Sequence, residues 1–141
     1  MKKIVFKGVG TAVVTPMKED YSINYSVFDE LLDMQIAGSA DAIVVAGTTG
    51  EGSTLTDDEH IELVRRAVKH VRGRVPVIAG AGSNNTAHAV YLSKECEKAG
   101  ADALLHVTPY YNKASQQGLF LHFNECARST RLPVILYNVP S

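Results

Sequence analysis

Ala37-Gly38-Ser39-Ala40-Asp41-Ala42-Ile43-Val44 returns, one residue shorter, as Ala99-Gly100-Ala101-Asp102-Ala103-Leu104-Leu105. Each copy reads as a helix stop at glycine, then an aspartate, then a short apolar strand. A second pair, Val75-Pro76-Val77-Ile78 and Leu132-Pro133-Val134-Ile135, follows the same logic. The aspartates lie 61 positions apart and the prolines 57. Such an interval holds two β–α units of about 30 residues each, the size found in a barrel or a doubly wound sheet. The fold class is therefore α/β.

Working outward, apolar runs at Val9–Val14, Ala42–Ala46, Val75–Ala79, Ala103–Val107 and Pro133–Tyr137 read as strands. They are mostly continuous in apolar character, as expected for a parallel sheet buried on both faces, with Val75–Ala79 central. Helical spacing fills the intervals. Ile61, Val64, Val68 and Val71 form one stripe, and Ala89, Leu92, Cys96 and Ala99 another. Leu119, Phe123, Cys126 and Ala127 form a third. Thr56 and Glu59 make a capping box, with Asp57 and Asp58 suited to the positive end of that helix. Asn85 or Thr86 caps the next helix, Ser115 the one after, and Gly38, Gly73 and Gly100 mark stops. No linker interrupts the pattern, so residues 1–141 read as one domain. A closed (β/α)8 barrel takes eight strands in typically about 250 residues. Five strands and four helices thus leave two forms open, an open α/β sheet or just over half a barrel.

Composition excludes several classes. The 141 residues are 45% hydrophobic, enough for the core of one domain. Fourteen basic and fifteen acidic residues give a net charge of −1, with no basic run to hold nucleic acid. Lys7 cuts the first apolar stretch too short for a signal peptide, and no run approaches the roughly 20 residues of a membrane span. Cys96 and Cys126 sit in helix-like segments without a Cys-x-x-Cys pattern, and read as reduced core thiols of a cytoplasmic protein. His60, His70, His88, His106 and His122 show no ligand spacing, so no metal is expected.

In parallel α/β folds the loops after the strands carry the chemistry. Here these are Thr15-Pro16, Gly47-Thr48-Thr49-Gly50-Glu51, Gly80-Ala81-Gly82-Ser83-Asn84-Asn85, Thr108-Pro109-Tyr110-Tyr111-Asn112 and Tyr137-Asn138-Val139-Pro140-Ser141. Hydroxyls, amides and glycines gather at one end, with three tyrosines. The Gly80–Asn85 stretch lacks the lysine ending of a P-loop and the spacing of a dinucleotide fingerprint, so a nucleotide is not expected. Taken singly, the threonines pass as turn residues and the tyrosines as one buried and one surface ring.

Taken together, these segments resemble the N-terminal part of the dihydrodipicolinate synthase family, among the pyruvate-dependent Schiff-base aldolases that include N-acetylneuraminate lyase. The likeness also runs through Gly10-Thr11-Ala12-Val13-Val14-Thr15-Pro16-Met17, Pro76-Val77-Ile78-Ala79-Gly80 and Leu136-Tyr137-Asn138. It implies a TIM barrel, of which this chain holds about the first five strands and four helices. It implies condensation of pyruvate with aspartate semialdehyde in lysine biosynthesis, without a cofactor. The segment matching Thr48 and Thr49 would hold the carboxylate of pyruvate through amides and hydroxyls. Thr48 would share a proton relay with Tyr111 and Tyr137, Tyr111 being supplied by the neighbouring subunit of a homo-oligomer. Tyr137 would be general acid and base. A phenol ordinarily titrates at about 10, so that role relies on hydrogen-bonding neighbours. The feedback-lysine site of regulated members maps onto Ser53, His60, Asn84, His88 and Tyr110. His88 stands where those members tend to carry glutamate, which counts against lysine inhibition. Tyr21 falls in a turn where relatives usually have glycine.

The family's nucleophile is a lysine on a sixth strand. None of Lys2, Lys3, Lys7, Lys18, Lys69, Lys94, Lys98 or Lys113 fits a strand end in the required place, Lys113 being nearest. The arginine that usually follows Ser141, and gathers the second substrate's carboxylate, is also missing. The expectation is a truncated product, a fragment or a deliberate half-barrel, inactive alone. Two alternatives stand beside it: a non-catalytic, self-associating half-barrel, and another pyruvate-dependent aldolase of the same family.

Overall fold

The computed structural model describes residues 4–139; Lys2, Lys3, Pro140 and Ser141, named above, lie outside them. Nine elements alternate along the described residues. They are β1 (Gly10–Ala12), α1 (Tyr25–Ala37), β2 (Ala42–Val45), α2 (Asp57–Val71), β3 (Val77–Gly80), α3 (Thr86–Lys98), β4 (Ala103–Val107), α4 (Gln116–Arg128) and β5 (Val134–Tyr137). All four strand pairings are parallel and the strands lie in chain order, with β3 central as expected. A doubly wound sheet reverses its strand order partway. No reversal occurs here, so the open-sheet alternative falls and the half-barrel stands.

The repeated motifs are the devices that start the ladder. Asp41 donates its N–H to the Val9 carbonyl at 2.8 Å and accepts the Val9 N–H on Oδ2 at 2.8 Å. Asp102 does the same to Val77, at 2.9 and 2.8 Å. Pro76 and Pro133 explain why β3 and β5 begin one or two residues later than expected. Neither proline has an N–H, but their carbonyls accept from Ile43 at 3.0 Å and Leu104 at 2.9 Å. At the other boundary β1 stops at Ala12, although the Val13 N–H still reaches the Val44 carbonyl at 3.0 Å.

Helix ends follow their sequence signals closely. Asn85 caps α3 and Ser115 caps α4 as expected, and Asn24, not singled out from sequence, caps α1, each accepting a first-turn N–H. Thr56 and Glu59 form the reciprocal capping box of α2. That helix ends at Arg72, which itself takes the left-handed conformation at φ 53°, one residue before the expected glycine.

Alternation along the strands separates two apolar layers. Ile43, Val45, Val77, Ala79 and Leu104 point towards the helices, meeting Phe28, Leu32, Leu63, Val64 and Cys96 in the main core. Each of the larger of these side chains stabilises the fold by roughly 1.5–3 kcal/mol, which outweighs exposed ion pairs such as Arg65–Glu62. On the opposite face Ala42, Ile78 and Ala103 are covered by Val5 and Phe6. Phe6 thus closes the lower end of the inner face, and towards the strands' carboxyl ends that face opens. The expectation of strands buried on both faces holds fully for β3. It fails at β1 and β5, the two edges, and in part at Val44, Leu105 and Val107.

Candidate functional site

A cavity of about 530 Å³ opens at the carboxyl ends of β2 to β5. Its shape begins with one residue. Ala46, at the end of β2, takes φ 54°, a left-handed conformation that costs a non-glycine residue roughly 1–2 kcal/mol. The turn drives the Ala46 carbonyl towards Gly52 and Gly80, where an added Cβ would stand only 2.2 and 2.3 Å from that oxygen. Both positions therefore need glycine, and the backbone forms the floor of the cavity. His60, reaching up from α2, donates from Nε2 to the Gly80 carbonyl at 2.7 Å. Burial pushes this imidazole below its ordinary value and outweighs the carbonyls of Gly80 and Gly52, which favour the charged form. His60 is a neutral brace.

Above this floor lies the turn Thr48–Glu51, closed by the Glu51 N–H on the Thr48 carbonyl at 3.1 Å. The Gly52 N–H closes the loop on the Gly47 carbonyl at 3.1 Å. The amides of Thr48 and Thr49 donate to no group among the described residues. They are free for an outside acceptor. Thr48 lines the cavity, whereas Thr49, beside it, is exposed and does not.

The β3 and β4 loops are clamped to each other. Asn84 Nδ2 donates to the Tyr110 carbonyl at 3.3 Å, and Asn112 Nδ2 donates to the Asn84 carbonyl at 3.1 Å. Ser83 accepts the Asn85 N–H at 3.1 Å and lies 3.2 Å from His88 Nδ1. His88 Nε2 lies 2.8 Å from Asp57 Oδ1, so an imidazole protonated on Nε2 satisfies both contacts. Thr108 ties in the last strand, its N–H donating to the Tyr137 carbonyl at 2.8 Å.

Of the residues singled out from sequence, Thr48, Tyr137, Ser53, His60, Asn84, His88 and Tyr110 line one cavity. Tyr111 does not. It sits at φ 70°, and its side chain is 94% exposed. No lysine among the described residues lines the cavity; Lys113 is exposed on the β4 loop at φ 46°. Asp57 and Ser83 also line the cavity, though neither stands out in the sequence as a site residue. Asp57 carried only a helix-dipole signal and Ser83 only a loop signal, and their partner His88 lies 31 positions from the first. No group of three His, Cys, Asp or Glu side chains among the described residues is placed to hold a metal ion. Cys96 and Cys126 are free and buried, their thiols pushed up to about 12 and about 11, too high for a nucleophile. No helix among the described residues is long and apolar enough to cross a membrane.

Known proteins and solved structures resemble the chain along nearly its whole length. The model of the dihydrodipicolinate synthetase family matches residues 5–141. A 4-hydroxy-tetrahydrodipicolinate synthase of Lachnoclostridium phytofermentans is 58% identical over 137 residues, covering 97% of this chain and 47% of the relative. The crystal structure of dihydrodipicolinate synthase from Bacillus anthracis superposes with a TM-score of 0.95 at 47% identity, over 99% of this chain and 47% of that one. The Acinetobacter baumannii dihydrodipicolinate synthase, solved in complex with pyruvate, gives a TM-score of 0.94 at 42% identity, over 97% and 47%. The chain thus spans about half the length of the relatives it matches. With a family match across nearly its whole length and a half-barrel that superposes on family structures, this chain belongs to the dihydrodipicolinate synthetase family.

Proposed function

We propose that this chain carries the pyruvate-binding half of a 4-hydroxy-tetrahydrodipicolinate synthase, an enzyme that condenses pyruvate with aspartate semialdehyde. The observation that carries the reading is the meeting of the Thr48 turn and Tyr137 in one cavity at the strand ends. Pyruvate's carboxylate would accept from the unpartnered amides of Thr48 and Thr49 and from the Thr48 hydroxyl, uncharged donors that bind an anion without holding it too tightly for turnover. Tyr137 would move the proton on the carbinolamine as the Schiff base forms and water leaves. Tyr111, almost wholly exposed, would complete the relay in a neighbouring subunit's cavity. The amine would come from a lysine outside these five strands, since none among the described residues lines the cavity.

The 141-residue chain by itself therefore binds pyruvate weakly and forms no covalent adduct. Incubation with pyruvate and borohydride followed by mass spectrometry should leave its mass unchanged, while nuclear magnetic resonance shows Thr48 and Thr49 amides shifting with pyruvate. A stoichiometric adduct at Lys113 would replace this reading with a relocated nucleophile. Absence of any pyruvate-dependent shift would favour the second reading, a non-catalytic half-barrel that only self-associates. The exposed apolar residues along both sheet edges speak for that alternative.

A further inference from the structure

We propose that Thr15 is a positioning residue for the substrate cradle: its buried hydroxyl fixes the Thr48–Glu51 turn in the form that leaves the Thr48 and Thr49 amides free for a carboxylate. This rests on the pyruvate-binding reading and extends it to a residue that lines no part of the cavity.

Thr15 lies just beyond β1 and is 4% exposed. Its Oγ1 donates to the Gly50 carbonyl at 2.6 Å, across 35 positions of sequence. The peptide between Gly50 and Glu51 is thereby held at both ends. Thr15 holds its carbonyl, and its N–H donates to the Thr48 carbonyl at 3.1 Å. Rotating that peptide would break both bonds at once. Gly50 is itself packed close to the first strand, since a Cβ there would stand 3.1 Å from the Val13 carbonyl. The far end of the loop is fixed without Thr15, by the Gly52 N–H on Gly47 and by the Ala46 carbonyl seated against Gly52 and Gly80. The turn itself depends on the threonine. Without that hydroxyl the Gly50 carbonyl is a buried acceptor with no partner, and turning towards water relieves it. The same movement releases the Glu51 N–H from Thr48 and scatters the two amides that would face the carboxylate.

The test uses the isotope-labelled 141-residue chain, with pyruvate as the probe. Thr15→Val should broaden or split the amide resonances of Thr48 to Glu51, leave those of Val77 and Leu104 in place, and weaken pyruvate binding about tenfold. Thr15→Ser, which keeps the donor, should restore both. Ser93→Ala removes another buried hydroxyl, one that donates to the Ala89 carbonyl at 2.6 Å on the helix side. It should lower the thermal midpoint without changing pyruvate affinity. If Thr15→Val does not fold, Thr15→Cys, a weaker donor, should show the same broadening to a smaller degree. Single, unmoved turn resonances and an affinity within about twofold of the parent, in whichever of the two variants folds, would overturn the proposal. A turn disturbed by Thr15→Val and rescued by Thr15→Ser, in a chain that never binds pyruvate, would uphold the positioning role and remove the pyruvate reading instead.

Discussion

Tyr21 shows what a single backbone angle can cost. It stands at φ 65° in the turn closed by the Lys18 N–H on the Ser22 carbonyl at 2.8 Å, and its ring is 84% exposed. The ring gains little from contact, while the left-handed conformation costs roughly 1–2 kcal/mol. Tyr21→Gly relieves that strain but adds freedom to the unfolded chain, so the net gain should be about 0.5–1 kcal/mol, read as a rise of about 2–4 °C in thermal midpoint. A fall would show that the ring has a role the exposure conceals. Tyr111 carries the same strain, but its hydroxyl is the one proposed for a neighbour's relay, so stabilising it with glycine would remove function. His106 offers the opposite case, a residue whose environment is costly in acid. It is fully buried on β4, with Nε2 facing Ser93 Oγ at 3.1 Å and Nδ1 without a partner among the described residues. Since Ser93 donates to Ala89, its oxygen accepts from Nε2–H, which leaves Nδ1 bare. Burial, helped by nearby His122, lowers this imidazole to about 4. The unfolded chain takes up the proton near pH 6.5 and the folded chain only near 4. Stability is therefore full above about 6.5 and falls across that window, by up to about 3 kcal/mol. His106→Leu should flatten the pH dependence between 6.5 and 4 in urea titrations. An unchanged slope would assign the acid loss to other groups, His60 and His122 among them, both also lowered by burial.

At the scale of elements, the paired aspartates show how a repeated motif becomes a repeated contact. Asp102 Oδ2 satisfies the N–H of Val77, which is buried, while the equivalent bond from Asp41 to Val9 is exposed. Asp102→Ala should thus cost about 1–3 kcal/mol and Asp41→Ala about 0.5–1, with faster hydrogen exchange at Val77 in the first variant alone. Equal costs would mean that the carboxylates act through something other than the strand-start bond. The sequence carried these elements well because their signals are local: a cap, a proline, a glycine stop, a run of β-branched residues. Strand starts are less legible where a proline keeps its carbonyl in the ladder but has no N–H, as at Pro76 and Pro133. The site was legible only in part for the same reason. Gly47-Thr48-Thr49-Gly50 announces itself, whereas the contributions of Thr15 and Asp57 come from partners more than 30 positions away. Tyr111 reads as a site residue, yet it is almost wholly exposed and lies outside this chain's own cavity.

Across the whole molecule the unpaired surfaces decide behaviour. β1 and β5 are the edges of the sheet, and each presents backbone groups able to pair with another strand. Leu136 on β5 is 59% exposed and Phe120 on α4 is 64% exposed, with Val9 and Val14 exposed at the opposite edge. With a net charge of only −1, little electrostatic repulsion opposes contact between copies. The 141-residue chain should therefore self-associate at micromolar concentration, with a scattering mass that rises with concentration. Two five-stranded sheets joined edge to edge would give ten strands, more than the eight of the family barrel, so an open or staggered pairing fits better than a closed one. Charge at the edge separates this from association through the exposed tyrosines. Leu136→Lys should lower the scattering mass sharply if β5 pairs with another copy, whereas Tyr111→Ala should do so if the β4 loop is the contact. A monodisperse 15.2 kDa particle across the whole concentration range would show that neither edge is open to a second chain.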